Sequence, residues 1–433
     1  GRADIAVHSL KDMSAEHFFG SNNFAVVDRA DIRDLAIFNN SIEEKLKRAE
    51  TIVIGTCSPR REEMAAVFLK KALPQWSAEI SIEIKPIRGN VETRLRKLTD
   101  DGYDATILAT AGLNRLLQSE NDAPLIEGLL SDKKLMLLPL LECVPAPCQG
   151  AIVAEANPGN KQAVEILQAI NDETLLKNCT AEKEKATQYW KGCLQKFGVA
   201  TIPYGDTSIL YAAGKDSEDS VFSDWVGLPE LDLKDKKLFS TTDFMGKFFD
   251  YEYYGERIMI QEPVVYVANY KAAEQPEMLE QLQNKKVWAA GTRTWFELAR
   301  KGIWVEGCAD ALGLEFLEKS WPMPITRISR NDVAIITGKQ TAGIWQSKGW
   351  QAYGVYSTSV KKLPAVGQQL QDADFVFWTS FRQYALYKNL LKDEVTHICP
   401  YGETAEQFRA EGIEPVIFPT LKAFLQWKQT LIR

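Results

Sequence analysis

Basic residues recur beside short turns in the first third of this 433-residue chain. "GTCSPRREEMAAVF" reads as a strand end, a turn and a helix start; it offers the Ser58 hydroxyl, helix N–H groups and the guanidiniums of Arg60 and Arg61. "IRGNVETRLRKL" repeats the scheme, with Arg88 before the turn and Arg94 on the first helical turns. "ATAGLNRLL" repeats it again with Arg115. Forked guanidiniums and helix N-termini suit a ligand with several carboxylates, since each carboxylate accepts two parallel charge-assisted hydrogen bonds. Any one of these arginines alone reads as a solvated helix residue; three such units point to an anion cleft. Phosphate fits less well, because no Gly-rich phosphate loop is present. Counter-charge comes from "ADIAVHSLKDMS", where a strand ends at His8-Ser9 and Lys11 and Asp12 follow. Asp12 either caps a short helix or, ionised beside the arginines, stabilises a developing cation.

Such residues need a scaffold of alternating strands and helices. "DIAVHSL", "FAVVD", "TIVIGT", "ISIEIKPI", "DATILAT" and "AIVAEA" are β-rich runs. "EEMAAVFLKKAL", "VETRLRKLTDDG", "KQAVEILQAIN" and "CTAEKEKATQYWKGC" carry helical spacing between them. Residues 214–237 are acidic and poor in long apolar runs, with room for a hairpin. The alternation then restarts with "KLFSTT", "VVYVANY", "KKVWAAG", "DVAIITG", "DFVFWTS", "VTHICPYG" and "PVIFP". A boundary near residues 228–236 therefore separates two α/β units, and the rear one is expected to fold alone. Within it, "KKVWAAGTRTWFELARKGI" and "VTHICPYGETAEQFRAEGI" echo one another as strand, Gly-x-x-Thr turn, helix and Gly-Ile.

Composition excludes several classes. The chain is 45 % hydrophobic and 25 % charged, ordinary for a globular protein, and it lacks any run of about 18 apolar residues. Its net charge of −7 argues against nucleic acid as a partner. Seven cysteines without a CxxC pair, and only three histidines, argue against a disulfide framework or a zinc site. A reducing, cytoplasmic setting is expected, with no membrane partner and no metal. One cysteine stands out: Cys193 in "KGCLQKFGV", between glycines.

Together, "ADIAVHSLKDM", "IGTCSPRR", "RGNVETRLRKL", "YDATILATAGLNRL", "PAPCQGA" and the later Gly-Cys resemble the hydroxymethylbilane synthase (porphobilinogen deaminase) family. The resemblance implies that Cys193 carries a covalent dipyrromethane cofactor as a thioether, a bond suited to a thiolate nucleophile. It implies that Asp12 is the catalytic carboxylate. Lys11, Ser58, Arg60, Arg61, Arg88 and Arg94 match positions that hold the cofactor, and Arg115 one that holds substrate. The implied fold is α/β: two domains like periplasmic binding proteins plus a small α+β cofactor domain. On that plan residues 1–32 and 140–168 form a first domain, 33–139 a second, 169–228 a third, and 229–235 a linker. The resemblance starts inside the first domain, so a deaminase unit without its opening strands is expected. Cys57, Pro59 and Cys148 depart from the usual serine, leucine and glycine, and Pro59 restricts the residue before it.

Residues 236–433 resemble the uroporphyrinogen-III synthase family through "FSTT", "VWAAGTRTWFELARKG", "GWQAYGVYST", "FVFWTSFRQYALY" and "CPYGETAEQFRAEGI". That implies a two-domain α/β unit with an inserted domain over about 264–358. Tyr356 matches a tyrosine at the interdomain cleft, where a phenol could assist a leaving hydroxyl, or it is a structural strand residue. Ser380 and Thr404 stand at strand–helix turns that could hold carboxylate or simply cap helices. Trp295 and Phe296 read as core. The two resemblances together imply a monomeric, bifunctional enzyme that converts porphobilinogen to hydroxymethylbilane and then to uroporphyrinogen III. The alternative is a front half serving as scaffold or carboxylate-binding module, with only the rear synthase active.

Overall fold

A computed structural model describes residues 3–76, 79–100, 102–189, 195–204, 207–254 and 258–431. Among them the strands fall into five sheets with helices packed between, a mixed α/β architecture. In the front half, Ala151–Ala156 lies between Ile5–Ser9 and Phe24–Arg29, antiparallel to both. A five-stranded sheet follows in the order Ile82–Lys85, Ile52–Gly55, Ala105–Ala109, Asp34–Phe38 and Lys134–Leu137. Its first three strands are parallel, and Asp34–Phe38 runs antiparallel to both its neighbours. Helix Glu173–Tyr189 leads to an antiparallel meander of Lys196–Tyr204, Thr207–Lys215 and Val221–Val226. Residues 214–237, which had room for a hairpin, hold its turn and its second strand, Val221–Val226, whereas the first strand, Thr207–Lys215, begins ahead of them.

The rear half holds a six-stranded sheet ordered Phe249–Tyr253, Gln351–Val360, Val333–Gly338, Val264–Val267, Lys286–Ala289 and Val305–Cys308. A four-stranded parallel sheet joins Leu238–Ser240, Phe375–Phe377, Thr396–Pro400 and Val416–Phe418. The two echoed segments each form strand, turn and helix: Lys286–Ala289 with Thr292–Arg300, and Thr396–Pro400 with Glu403–Ala410. Gly402 turns the second with φ 105°, a left-handed conformation that glycine takes without a Cβ clash.

Strand Asp34–Phe38 is absent from the sequence reading for a physical reason. All five of its residues are buried, so it shows no alternation of polar and apolar positions. The two halves also pack against one another. The Phe68 ring meets Trp295 edge-on at 5.1 Å, and the Trp295 indole N–H donates to the Ala72 carbonyl at 3.0 Å. Trp304 donates likewise to Leu135 O at 3.1 Å, and Gln75 N to Ala299 O at 2.8 Å. One hydrophobic core thus runs from helix Pro59–Ala72 into helix Thr292–Arg300. Trp295 is core, as read; Phe296 lies partly buried at its edge.

Candidate anion-binding site

The three parallel strands of the front sheet end side by side, and the basic turns leave from those ends. Carboxyl ends of parallel strands are where α/β sheets place ligands. Two of the turns are clasped together: Thr56 N donates to Lys85 O at 3.0 Å, and the Cys57 thiol donates to Ile87 O at 3.1 Å. A Cβ on Gly55 would lie 2.9 Å from the Ile87 side chain, so the close approach needs glycine there.

Helix Pro59–Ala72 begins with Ser58 at its N-cap, but the hydroxyl makes no capping bond. Pro59 at the first helical position already lacks an N–H. Arg60 and Arg61 both turn inward. Arg60 reaches Asp34 Oδ2 at 2.8 Å and Val144 O at 2.7 Å; Arg61 reaches Asp34 Oδ1 at 2.8 Å and Ile107 O at 3.0 Å. Gln149 Nε2 adds a bond to Asp34 Oδ1 at 2.9 Å. Burial pushes the Asp34 carboxyl up, but the two guanidiniums outweigh it and hold the group well below the usual carboxylate range. Arg61 Nε remains buried without a partner.

Around this pair stand the other cations. Lys11, in the turn Leu10–Asp12, loses enough water to its neighbours to fall below the usual lysine range, and Arg61 adds to the effect. Arg94 donates to Gly89 O at 2.9 Å and is lowered first by partial burial, then by Arg61. Arg88 is exposed and has no ion pair among the described residues. Lys11 lies within the field of Arg60, Arg61, Asp12 and Asp34, and Arg94 within that of Arg61, so these four cations share two carboxylates. An excess of positive charge, an unpaired buried N–H and an uncapped helix start together fit a ligand carrying carboxylates.

Asp12 is exposed at the end of its turn, and no hydrogen bond or ion pair engages it among the described residues. It does not cap the next helix. That role belongs to Ser14, whose hydroxyl accepts from His17 N at 3.1 Å. Arg115 sits apart from the cluster, bonded to Asp28 Oδ2 at 3.1 Å and Gly150 O at 2.7 Å. Cys193, to which the cofactor attachment was assigned, lies outside the described residues.

In the rear half Tyr356 is buried between Tyr251 and Tyr253, with ring centroids 5.5 and 6.0 Å away. Burial pushes its phenol up, and the neighbouring tyrosines add to this. Ser380 caps helix Phe381–Tyr387 in a reciprocal box with Gln383. Thr404 is the second residue of helix Glu403–Ala410, behind the Gly402 cap, and its hydroxyl makes no bond among the described residues. Sequence reasoning passed over Arg382, which bridges the two rear sheets by donating to the Thr358 hydroxyl and, at 2.7 Å, to its carbonyl. It also missed Asp34 and Gln149; the available signal was an acidic residue opening a wholly apolar run.

Residues 1–165 match a known family model. Its description is "Porphobilinogen deaminase, dipyromethane cofactor binding domain". Relatives bearing the name porphobilinogen deaminase align with the first half. The protein of Bacillus cereus (strain G9842) is 36 % identical over 219 residues, covering 50 % of this chain and 64 % of the relative. That of Streptococcus sanguinis (strain SK36) is 33 % identical over 195 residues, covering 45 % and 57 %. That of Fusobacterium nucleatum is 32 % identical over 219 residues, covering 50 % and 65 %. The chain thus spans less than two thirds of the length of each. Among solved structures, a mutant uroporphyrinogen III synthase from the extremely thermophilic bacterium Thermus thermophilus covers 45 % of this chain and 98 % of its own, at 10 % identity and a TM-score of 0.28. A superposition that slight carries no weight for fold or function. Among the described residues no helix is long and apolar enough to cross a membrane.

Proposed function

We propose that the front half elongates a protein-bound dipyrromethane with porphobilinogen, releasing ammonia, and that the rear half closes the product, hydroxymethylbilane, to uroporphyrinogen III. The observation that carries this reading is the set of arginines at the carboxyl ends of two adjacent parallel strands, Ile52–Gly55 and Ile82–Lys85, inside the stretch that matches the cofactor-binding domain. On this reading residues 1–32 with 140–168, 33–139 and 169–228 are three deaminase domains, 229–235 a linker and 236–433 the synthase, with an inserted domain over about 264–358.

When bound, the dipyrromethane would supply the pyrrole carbon to which the first incoming unit is joined. The chain's own residues do the rest. Arg88, Arg94 and Lys11 hold acetate and propionate groups, and Ser58 with the uncapped helix start takes another carboxylate. Arg60 and Arg61 set the positive potential from behind, with Asp34 fixing their forks. Asp12, exposed and uncommitted, stabilises the positive charge that develops as ammonia departs. Cys193 is the attachment point, and Arg115 holds a carboxylate of the growing chain. In the rear, Tyr356 assists loss of the terminal hydroxyl while Ser380 and Thr404 position carboxylates. Joining the two activities raises capture of a linear product that otherwise closes without control, through effective concentration.

Asp34 occupies both Arg60 and Arg61, which favours a second reading in which the front is a scaffold and the rear alone works. Intact mass of the full chain, ammonia release from porphobilinogen and the isomer formed from hydroxymethylbilane separate the two. A covalent dipyrrole and ammonia release support the first. Neither of these, with type III product still formed, supports the second.

A further inference from the structure

A cavity of about 480 Å³ lies where the front half meets the rear, within the roughly 300–1,000 Å³ of small-molecule sites. Residues 30–33 and Thr201 wall it from the front, and Leu312, Phe316 and Met323 from the rear. Tyr204 and Tyr401, one from each half, also line it and meet edge-on at 5.8 Å. Ile32, Tyr204, Leu312 and Phe316 pack in one apolar cluster, so much of the wall is hydrophobic and spans both halves. None of these residues belongs to the cation cluster or to the surroundings of Tyr356.

Two polar groups in this wall are buried and uncommitted. Arg33 is only 2 % exposed; its Nε and Nη2 are taken by Asp31 and Ser320, but Nη1 makes no hydrogen bond among the described residues. The guanidinium carbon lies 5.1 Å from the centre of the Phe316 ring, so the free Nη1 stands beside an aromatic face. Thr201 N donates to Glu182 Oε1 at 2.7 Å, yet the Thr201 hydroxyl is buried with no partner. Buried donors and hydroxyls left unpaired are costly, so a site that keeps two of them asks for a ligand that pairs both.

The charges in the wall already cancel. Arg29 is matched by the Glu182 fork at 2.8 and 2.9 Å, and Arg33 by Asp31. At the exposed rim Lys319 offsets Glu315. A charged ligand would lose its water here without gaining a spare counter-ion.

We propose that this cavity binds an uncharged aromatic amide. The ring lies against Phe316 and Leu312, the carbonyl accepts from Arg33 Nη1, and the amide N–H donates to the Thr201 hydroxyl oxygen. Residues 30–33 cross from strand Phe24–Arg29 of one front sheet to strand Asp34–Phe38 of the next, and Asp34 grips Arg60 and Arg61. An occupant therefore ties this crossing to the rear half and stabilises the folded chain.

Calorimetric titration of the full chain with indole-3-acetamide should show one saturable site, and the melting temperature should rise with its concentration. Indole-3-acetate, similar in size but charged, should bind about tenfold more weakly. Thr201→Val keeps the shape of the side chain and the backbone bond to Glu182, and should weaken indole-3-acetamide about fivefold. Met323→Trp fills the cavity and should remove the binding. Absence of saturable heat with indole-3-acetamide overturns the proposal. So does tighter binding of indole-3-acetate, or an affinity for indole-3-acetamide that neither substitution changes.

Discussion

Asp310 Oδ1 accepts the backbone N–H of Leu141 at 3.2 Å, joining the end of a rear strand to the front half through a carboxylate whose other oxygen is buried without a partner. Burial pushes this carboxyl up to about 6, against the pull of Arg33 and the Leu140 and Leu141 N–H groups. Glu142 adds to the upward shift.

A raised carboxylate makes stability fall as pH rises. Between about 4 and 6 the folded chain binds more protons at Asp310 than the unfolded chain does, and above 6 the full penalty, roughly 3 kcal/mol, persists. Urea midpoints measured at pH 5 and pH 7 should show this decline, and Asp310→Asn should flatten it. An unchanged slope in the variant would assign the pH dependence elsewhere.

Asp34 carries the opposite sign. Its depressed carboxyl contributes stability that is present above the ordinary aspartate range and is lost on acidification below it. Asp34→Ala leaves Arg60 and Arg61 buried without their anion, so a loss of about 3–5 kcal/mol is expected in denaturant titrations. A loss under about 1 kcal/mol would mean that Val144 O and Ile107 O suffice for the pair.

Stability and ligand binding should separate between two arginines of the cluster. Arg88 is exposed and unpaired among the described residues, so Arg88→Ala should shift stability by no more than about 0.5 kcal/mol while removing dipyrrole retention or chain growth. Arg60→Ala should impair both, because it strands Asp34 and Val144 O. Equal stability losses in the two variants would contradict the geometry.

Cys193→Ala should abolish the covalent dipyrrole, read as intact mass and by an aldehyde colour test. Asp12→Asn should keep the dipyrrole and fold but lower ammonia release by orders of magnitude. A normal rate would leave Asp12 an exposed surface carboxylate.

Tyr356→Phe removes a phenol that has no hydrogen bond among the described residues, so stability should change little. Closure of hydroxymethylbilane should slow only a few-fold if positioning dominates over proton donation. A loss beyond about a hundredfold would make the phenol the principal acid.

The arginine turns were legible because strand, turn and cation lie within a dozen consecutive residues. What held those arginines was not. Asp34 is 26 residues from Arg60, and Gln149 is 89, so only the sheet brings them together. Arg115 looked equivalent to Arg60 in sequence, yet it bonds Asp28 and Gly150 O, which belong to the strands and loop of the other front sheet. The meander after residue 195 was half visible: Val221–Val226 alternates partly, whereas Lys196–Tyr204 is mostly buried and lacks the period-two signal.

Trp295 seated on helix Pro59–Ala72 bears on how the chain melts. A calorimetric scan should show the front and rear α/β units melting together rather than in two separated endotherms, since heat that frees the rear indole also strips the front helix of its cover. Cut between residues 228 and 236, each fragment would carry an aromatic scar that invites self-association before it invites folding.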